Sequence, residues 1–210
     1  MPAIGYDGQA RIAAATVAIA GDDLTAEVLA RALGAAGVGT LRLLRRTAPA
    51  ELTAALAGSN PELRVVVRDW PGGPSWVAAL EGCALVVRSG FDDDAMLRAA
   101  IRLAIPAIVV RAEDALIDMV SFRRQGPCPH LALDLPEAAA APVDQGPAAV
   151  VAAHTAAAEA LLVLAADHAD AARARHLRLP LDGGPPRTTD IPWMPECFAC
   201  GGAGTEMTFA

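Results

Sequence analysis

The chain has 210 residues, 54% hydrophobic and 20% charged, enough to bury one sizeable core and consistent with a single domain. All 17 basic residues are arginine and the formal net charge is −7, which excludes chemistry on a lysine amine and argues against nucleic acid or an anionic membrane surface as partner. No basic segment leads into an apolar one at the N-terminus, and the most apolar window, 147–167, is alanine-rich and interrupted by His154 and Glu159, so a soluble, cytoplasmic protein is expected.

In chain order, TVAIA at 16–20 reads as a strand. Leu24, Val28, Leu29 and Leu33 then recur at helical spacing, Gly37 and Gly39 supply the stop, and TLRLL at 40–44 is a second strand. The alternation continues with a helix at 49–57, a strand LRVVV, a helix near 75–81, a strand ALVVR, a helix at 94–103 and a strand PAIVV. Strands alternating with helices predict an α/β fold, a Rossmann-like, mostly parallel sheet with helices on both faces. After Val110 the rhythm changes. LIDMVSF and HLALDL read as short strands around RRQGPCP, 136–147 as a flexible connection, 147–166 as a helix, and RHLRLPLD as a last strand. The Gly/Pro-rich tail from 183 needs an anchor to order, and the C-x-x-C at Cys197 and Cys200 is the candidate. Residues 1–170 are taken as one Rossmann-like domain, with 171–210 as a strand and tail packed on it.

The turn after the first strand carries the main chemical question. A nucleotide loop uses glycines so that phosphate can approach the backbone at a helix N-terminus. Here the G-x-G-x-x-G positions hold Gly21, Asp23 and Ala26. Asp22 or Asp23 capping the helix contributes about 1 kcal/mol, whereas a carboxylate about 4 Å from a phosphate costs about 4 kcal/mol at an effective dielectric of about 20. Tight nucleotide binding is therefore not expected unless a metal intervenes. The acid that would hold ribose hydroxyls after the second strand is replaced by Arg45, followed by Arg46. Asp92, Asp93 and Asp94 follow the ALVVR strand, where they either hold Mg²⁺ with a substrate phosphate or cap the next helix, and the cap is favoured. Were both acidic turns to face one crevice, it would suit a cation or a basic segment of a partner. Cys83 reads as a core residue, and His154, His168 and His176 have no nucleophile motif beside them.

VAIAGDDLTAEVLARALGAAGVGTLRLL, ALVVRSGFDDDAMLRAAIRLAIPAIVV, the GPCPHL turn and the closing CFAC occur in the order seen in the ThiF/MoeB/HesA family, bacterial relatives of ubiquitin-activating enzymes. The AGVG before the second strand is the most specific piece, and the chain resembles the shorter actinobacterial ThiF-like proteins over roughly 15–200. The resemblance implies ATP and Mg²⁺ binding, adenylation of a sulfur-carrier C-terminus, and a homodimer. It also implies a structural zinc, for which Cys128, Cys197, Cys200 and His130 are the matching donors here, with Leu131 at the fourth cysteine position.

Departures from the family pattern are extensive. Of the loop only Gly21 is retained, Arg45 stands at the acidic position, no lysine exists, Asp92 matches with an offset of about one residue, and the short N-terminal helices of relatives are nearly absent. The expectation is a degenerate ThiF-fold protein that does not adenylate and binds a peptide, carrier protein or partner enzyme. The alternatives are a divergent ATP-dependent adenylyltransferase working with a partner subunit, in which Asp92 would be catalytic, and a Rossmann-type small-molecule binder.

Overall fold

The computed structural model describes residues 4–47, 50–90, 95–113, 115–122, 146–166 and 175–191. Strands β1 (Thr16–Ala20), β2 (Thr40–Arg45), β3 (Arg64–Asp69), β4 (Leu85–Ser89) and β5 (Ala107–Glu113) run parallel. β6 (Leu116–Phe122), β7 (Arg175–Pro180) and β8 (Arg187–Asp190) continue the sheet antiparallel. The strand order is β3-β2-β1-β4-β5-β6-β7-β8. From β1 the chain moves outward to β2 and β3, then returns to place β4 on the other side of β1. This reversal creates the crevice in which open α/β sheets usually bind ligands.

The helices are α1 (Tyr6–Ala14), α2 (Leu24–Ala35), α3 (Ala50–Ser59), α4 (Ser75–Leu80), α5 (Ala95–Arg102) and α6 (Pro147–Ala165). On one face of the sheet Ile12, Leu29, Leu33 and Leu56 join the small side chains of α6 over Val17, Ile19, Leu41, Leu43, Val87 and Ile108. On the other, Trp76, Leu80, Met96 and Leu97 cover Ala18, Ala20, Leu44, Val86 and Val109. The expected Rossmann-like arrangement with both faces covered is thus observed. Helix α6 has the length and hydropathy of a membrane span, but it packs on α1, α2 and strands β4 to β6, which accounts for its apolar, alanine-rich sequence.

The AGVG turn has a mechanical explanation. Gly37, at φ 88°, follows the last turn of α2; its N–H bonds the Gly34 carbonyl and the Val38 N–H bonds the Leu33 carbonyl, a Schellman stop closed by the buried Val38. A Cβ on Gly39 would stand 1.9 Å from the Ala13 carbonyl oxygen, so the end of α1 can cross here only over a glycine.

Two elements depart from the sequence reading. Helix α1 occupies the N-terminal stretch in which no substantial helix was expected: its buried residues are Gly8 and Ile12, too few to make a periodic signal, and Gly8 lets it approach Ala165 of α6. Strand β8 lies within the Gly/Pro-rich tail, which was expected to order only through an anchor and in which no strand was read, so RHLRLPLD is not the last strand. All four β8 residues are exposed and show no alternation; pairing with β7, from Arg175↔Asp190 to Arg178↔Arg187, creates the strand. The HLALDL segment lies outside the described residues.

Candidate functional site at the β1/β4 crevice

Gly21 leaves β1 with its N–H bonded to the Leu44 carbonyl, and it passes so close to β4 that a Cβ would meet Ser89 Oγ at 2.1 Å and Ala26 Cβ at 2.9 Å. The glycine is therefore required for the loop to pack against the buried Ser89. The two aspartates that follow divide the work. Asp23 is the N-cap of α2, its Oδ1 accepting from the Ala26 N–H at 2.8 Å, so the expected cap falls on this residue.

Asp22 turns toward the end of β2. Its carboxylate accepts from the Arg46 N–H at 3.1 Å, the Thr47 N–H at 3.2 Å and the Thr47 hydroxyl at 3.0 Å. Burial alone would push its pKa up. The backbone donors, the Thr47 hydroxyl and the Arg45 charge outweigh that effect and hold it below the ordinary carboxylate value.

Arg45 is 6% exposed and lies across the same junction. One terminal nitrogen donates to the Asp22 carbonyl and to Glu27 Oε1, both at 3.2 Å, while Nε stands 3.4 Å from Asp22 Oδ1, an ion-pair distance without a well-aimed hydrogen bond. Polarity is thus reversed relative to a nucleotide site, with the acid on the loop and the cation at the end of β2. Each is engaged by the other. Arg46 lies over Trp70, its guanidinium 4.2 Å from the centre of the ring; Trp70 meets Trp76 edge-on, and the buried Arg88 guanidinium is 5.2 Å from the same ring.

The structure brings Gly21, Asp23, Ala26 and Arg45 together around this one turn. Asp92, Cys128, His130, Cys197 and Cys200 lie outside the described residues. Among the described residues no group of three or more His, Cys, Asp or Glu is placed to hold a metal. Cys83 is buried, and desolvation pushes its thiol pKa up against the opposing influence of Arg42, the setting of an inert core cysteine.

Sequence reasoning missed a second polar cluster. Asp118 on β6 is 5% exposed and accepts from Arg178 Nε at 3.0 Å, with His176 Nε2 at 2.9 Å and an Arg111 terminal nitrogen at 3.5 Å. Burial alone would raise its pKa; the His176 hydrogen bond and the charges of Arg178, His176 and Arg111 lower it. His176 lies within β7. The signal was present in the pattern, since LIDMVSF places an acid at an otherwise apolar level and RHLRLP puts His176 and Arg178 on one face.

No family model matches the sequence, and no curated protein matches it. Solved structures do share the fold. This chain superposes on E. coli MccB with TM-score 0.76 at 14% identity, covering 97% of this chain and 70% of that one. It superposes on PaaA with TM-score 0.70 at 13% identity, covering 89% and 67%. E. coli MccB bound to MccA-N7isoASN gives TM-score 0.73 at 13% identity, covering 93% and 69%. These neighbours have the ThiF/MoeB-like, E1-like fold, and the α/β architecture here is of that Rossmann-like type. MccB is described as a microcin C7 biosynthetic enzyme and has been solved with N-formylated MccA and with ATP.

Proposed function

We propose that this chain is a degenerate ThiF-fold protein of a biosynthetic pathway that binds a peptide, carrier protein or partner enzyme and does not itself adenylate. One observation carries the reading: of the two carboxylates on the β1–α2 turn, Asp23 takes the Ala26 N–H at the start of α2, and Asp22 is bound to Arg45, Arg46 and Thr47 at the end of β2. A phosphate brought to this turn would meet a carboxylate in place of free backbone donors, at a cost of about 4 kcal/mol for two unit charges about 4 Å apart at intermediate dielectric. The residues present therefore do not fit a nucleotide phosphate. The peptide side of the proposal draws on the MccB neighbours, which were solved with MccA.

A homodimer and a cytoplasmic location belong to the same proposal. So does a structural zinc on Cys128, His130, Cys197 and Cys200, a Cys₃His donor set of a kind zinc accepts, which would tether the C-terminal tail. The opposing reading, a divergent adenylyltransferase completed by a partner subunit, draws on MccB having been solved with ATP. Native mass spectrometry with and without Mg-ATP separates the two. The expected species is a dimer carrying zinc and no nucleotide; stoichiometric ATP refutes the non-adenylating reading and makes Asp92 and Arg45 the residues to mutate.

A further inference from the structure

We propose that the antiparallel wing of the sheet docks a carboxylate-rich peptide segment of the partner, read by Arg178 and Arg187. The inference rests on the partner-binding reading above and adds the chemistry of the partner. Strand register aligns Arg111 on β5, Asp118 on β6, Arg178 on β7 and Arg187 on β8 in one cross-strand row on one face of the sheet. The charges along it read plus, minus, plus, plus. Asp118 is saturated, facing Arg111, Arg178 and His176 at once.

The outer end of the row is unbalanced. Arg178 and Arg187 are directly opposed, and like charges at opposed positions of an antiparallel pair repel. Both are exposed, Arg178 to 50% at its side chain. Asp118 fixes Arg178 through Nε, and among the described residues no acceptor meets its terminal nitrogens or the Arg187 guanidinium. The buried carboxylate thus orients one fork while leaving its outer donors available. A ligand carboxylate between the two guanidiniums would replace their repulsion with charge-assisted hydrogen bonds, and the fork geometry of arginine suits that group.

Charge complementarity selects the occupant. The chain as a whole carries −7, so an acidic segment is repelled by the molecule at large and attracted where cations are unopposed. A nucleic acid would need a longer run of phosphate contacts than this two-arginine end provides.

The test is fluorescence anisotropy on the full chain with a labelled Glu-Thr repeat peptide, its Gln-Thr counterpart and a labelled single-stranded RNA. The Glu peptide should bind at least about tenfold more tightly than the Gln peptide, and added salt should weaken it. Arg178→Gln with Arg187→Gln should weaken binding by about tenfold or more, while Arg178→Lys with Arg187→Lys, which keeps both charges but loses the forks, should weaken it by less. An unchanged thermal midpoint in both variants separates lost recognition from lost folding. Equal binding of the two peptides, binding of neither, or binding of the RNA alone overturns the proposal. Adding Mg-ATP to the same samples keeps the two readings apart: bound ATP refutes the non-adenylating reading alone, whereas loss of Glu preference without ATP binding refutes only this one.

Discussion

Asp22→Ala tests whether the β1–α2 turn is locked by its own carboxylate. The substitution removes the acceptor of the Arg46 and Thr47 N–H groups and of the Thr47 hydroxyl, and it takes one carboxylate away from Arg45, which is 6% exposed. The donors at 46 and 47 are on exposed residues and can be rehydrated, so their loss costs less than that of buried bonds, about 1 kcal/mol in all. Breaking a fully buried ion pair costs about 3–5 kcal/mol, but Arg45 keeps Glu27 and the Asp22 carbonyl, and the Asp22 side chain is 23% exposed. Discounting for that exposure leaves about 1–2 kcal/mol from the charge and about 2–3 kcal/mol in total.

Urea unfolding of the wild type, Asp22→Ala and Asp22→Asn measures the loss. The asparagine should recover part of it, because the amide oxygen still accepts. The pH dependence has a fixed sign. The folded pKa of Asp22 lies below its ordinary value of 3.8, so the carboxylate's contribution is complete above that value and is lost as pH falls through the lower folded pKa. The gap between wild type and Asp22→Asn should therefore close in acid. A loss below about 0.5 kcal/mol at neutral pH, or a gap that widens in acid, would show that Asp22 does not lock the turn.

Two further substitutions probe the frame around the site. Gly39→Ala should destabilise the fold by about 3 kcal/mol or more, because the new methyl meets a carbonyl oxygen of the α1 end that cannot rotate away, and a change within about 0.5 kcal/mol in the same unfolding assay would refute that packing. Asp118→Asn should cost about 2–4 kcal/mol by leaving Arg111, His176 and Arg178 around a neutral amide. Since the folded pKa of Asp118 is depressed, its contribution is present above the ordinary value of 3.8 and lost as pH falls through the folded value, so an Asn variant as stable as wild type at neutral pH would contradict the cluster.

The parallel half of the fold was legible because each of its elements has its own local signal. β1 matches TVAIA residue for residue, and the α2 stop is written in Gly37 and Gly39. β8 could not be read that way: Arg187–Asp190 has no apolar alternation, and its strand state comes from β7 alone. At the site, sequence spacing identified two aspartates in an anion turn but not their separate directions. The distinction depends on where β2 ends in space, with Arg46 and Thr47 brought to Asp22 across 24 and 25 residues. The Asp118 cluster was hidden for the same reason, its partners being 7 residues away through one hairpin and 58 or 60 residues away through β7.

The two polar clusters differ in a way that bears on where recognition takes place. In the β1/β4 crevice the charges are mutually engaged: Asp22 binds Arg45 and the β2 end, Glu27 binds Arg45, and Asp23 binds the helix. A ligand entering there must displace internal partners and gains only the difference between old and new contacts. At the outer end of the β5–β8 row, Arg178 and Arg187 oppose one another, and an anionic segment bound to their outer nitrogens displaces no acceptor among the described residues. On that comparison an anionic segment gains more at the wing than in the crevice, which is why the proposed partner contact is placed on β7 and β8.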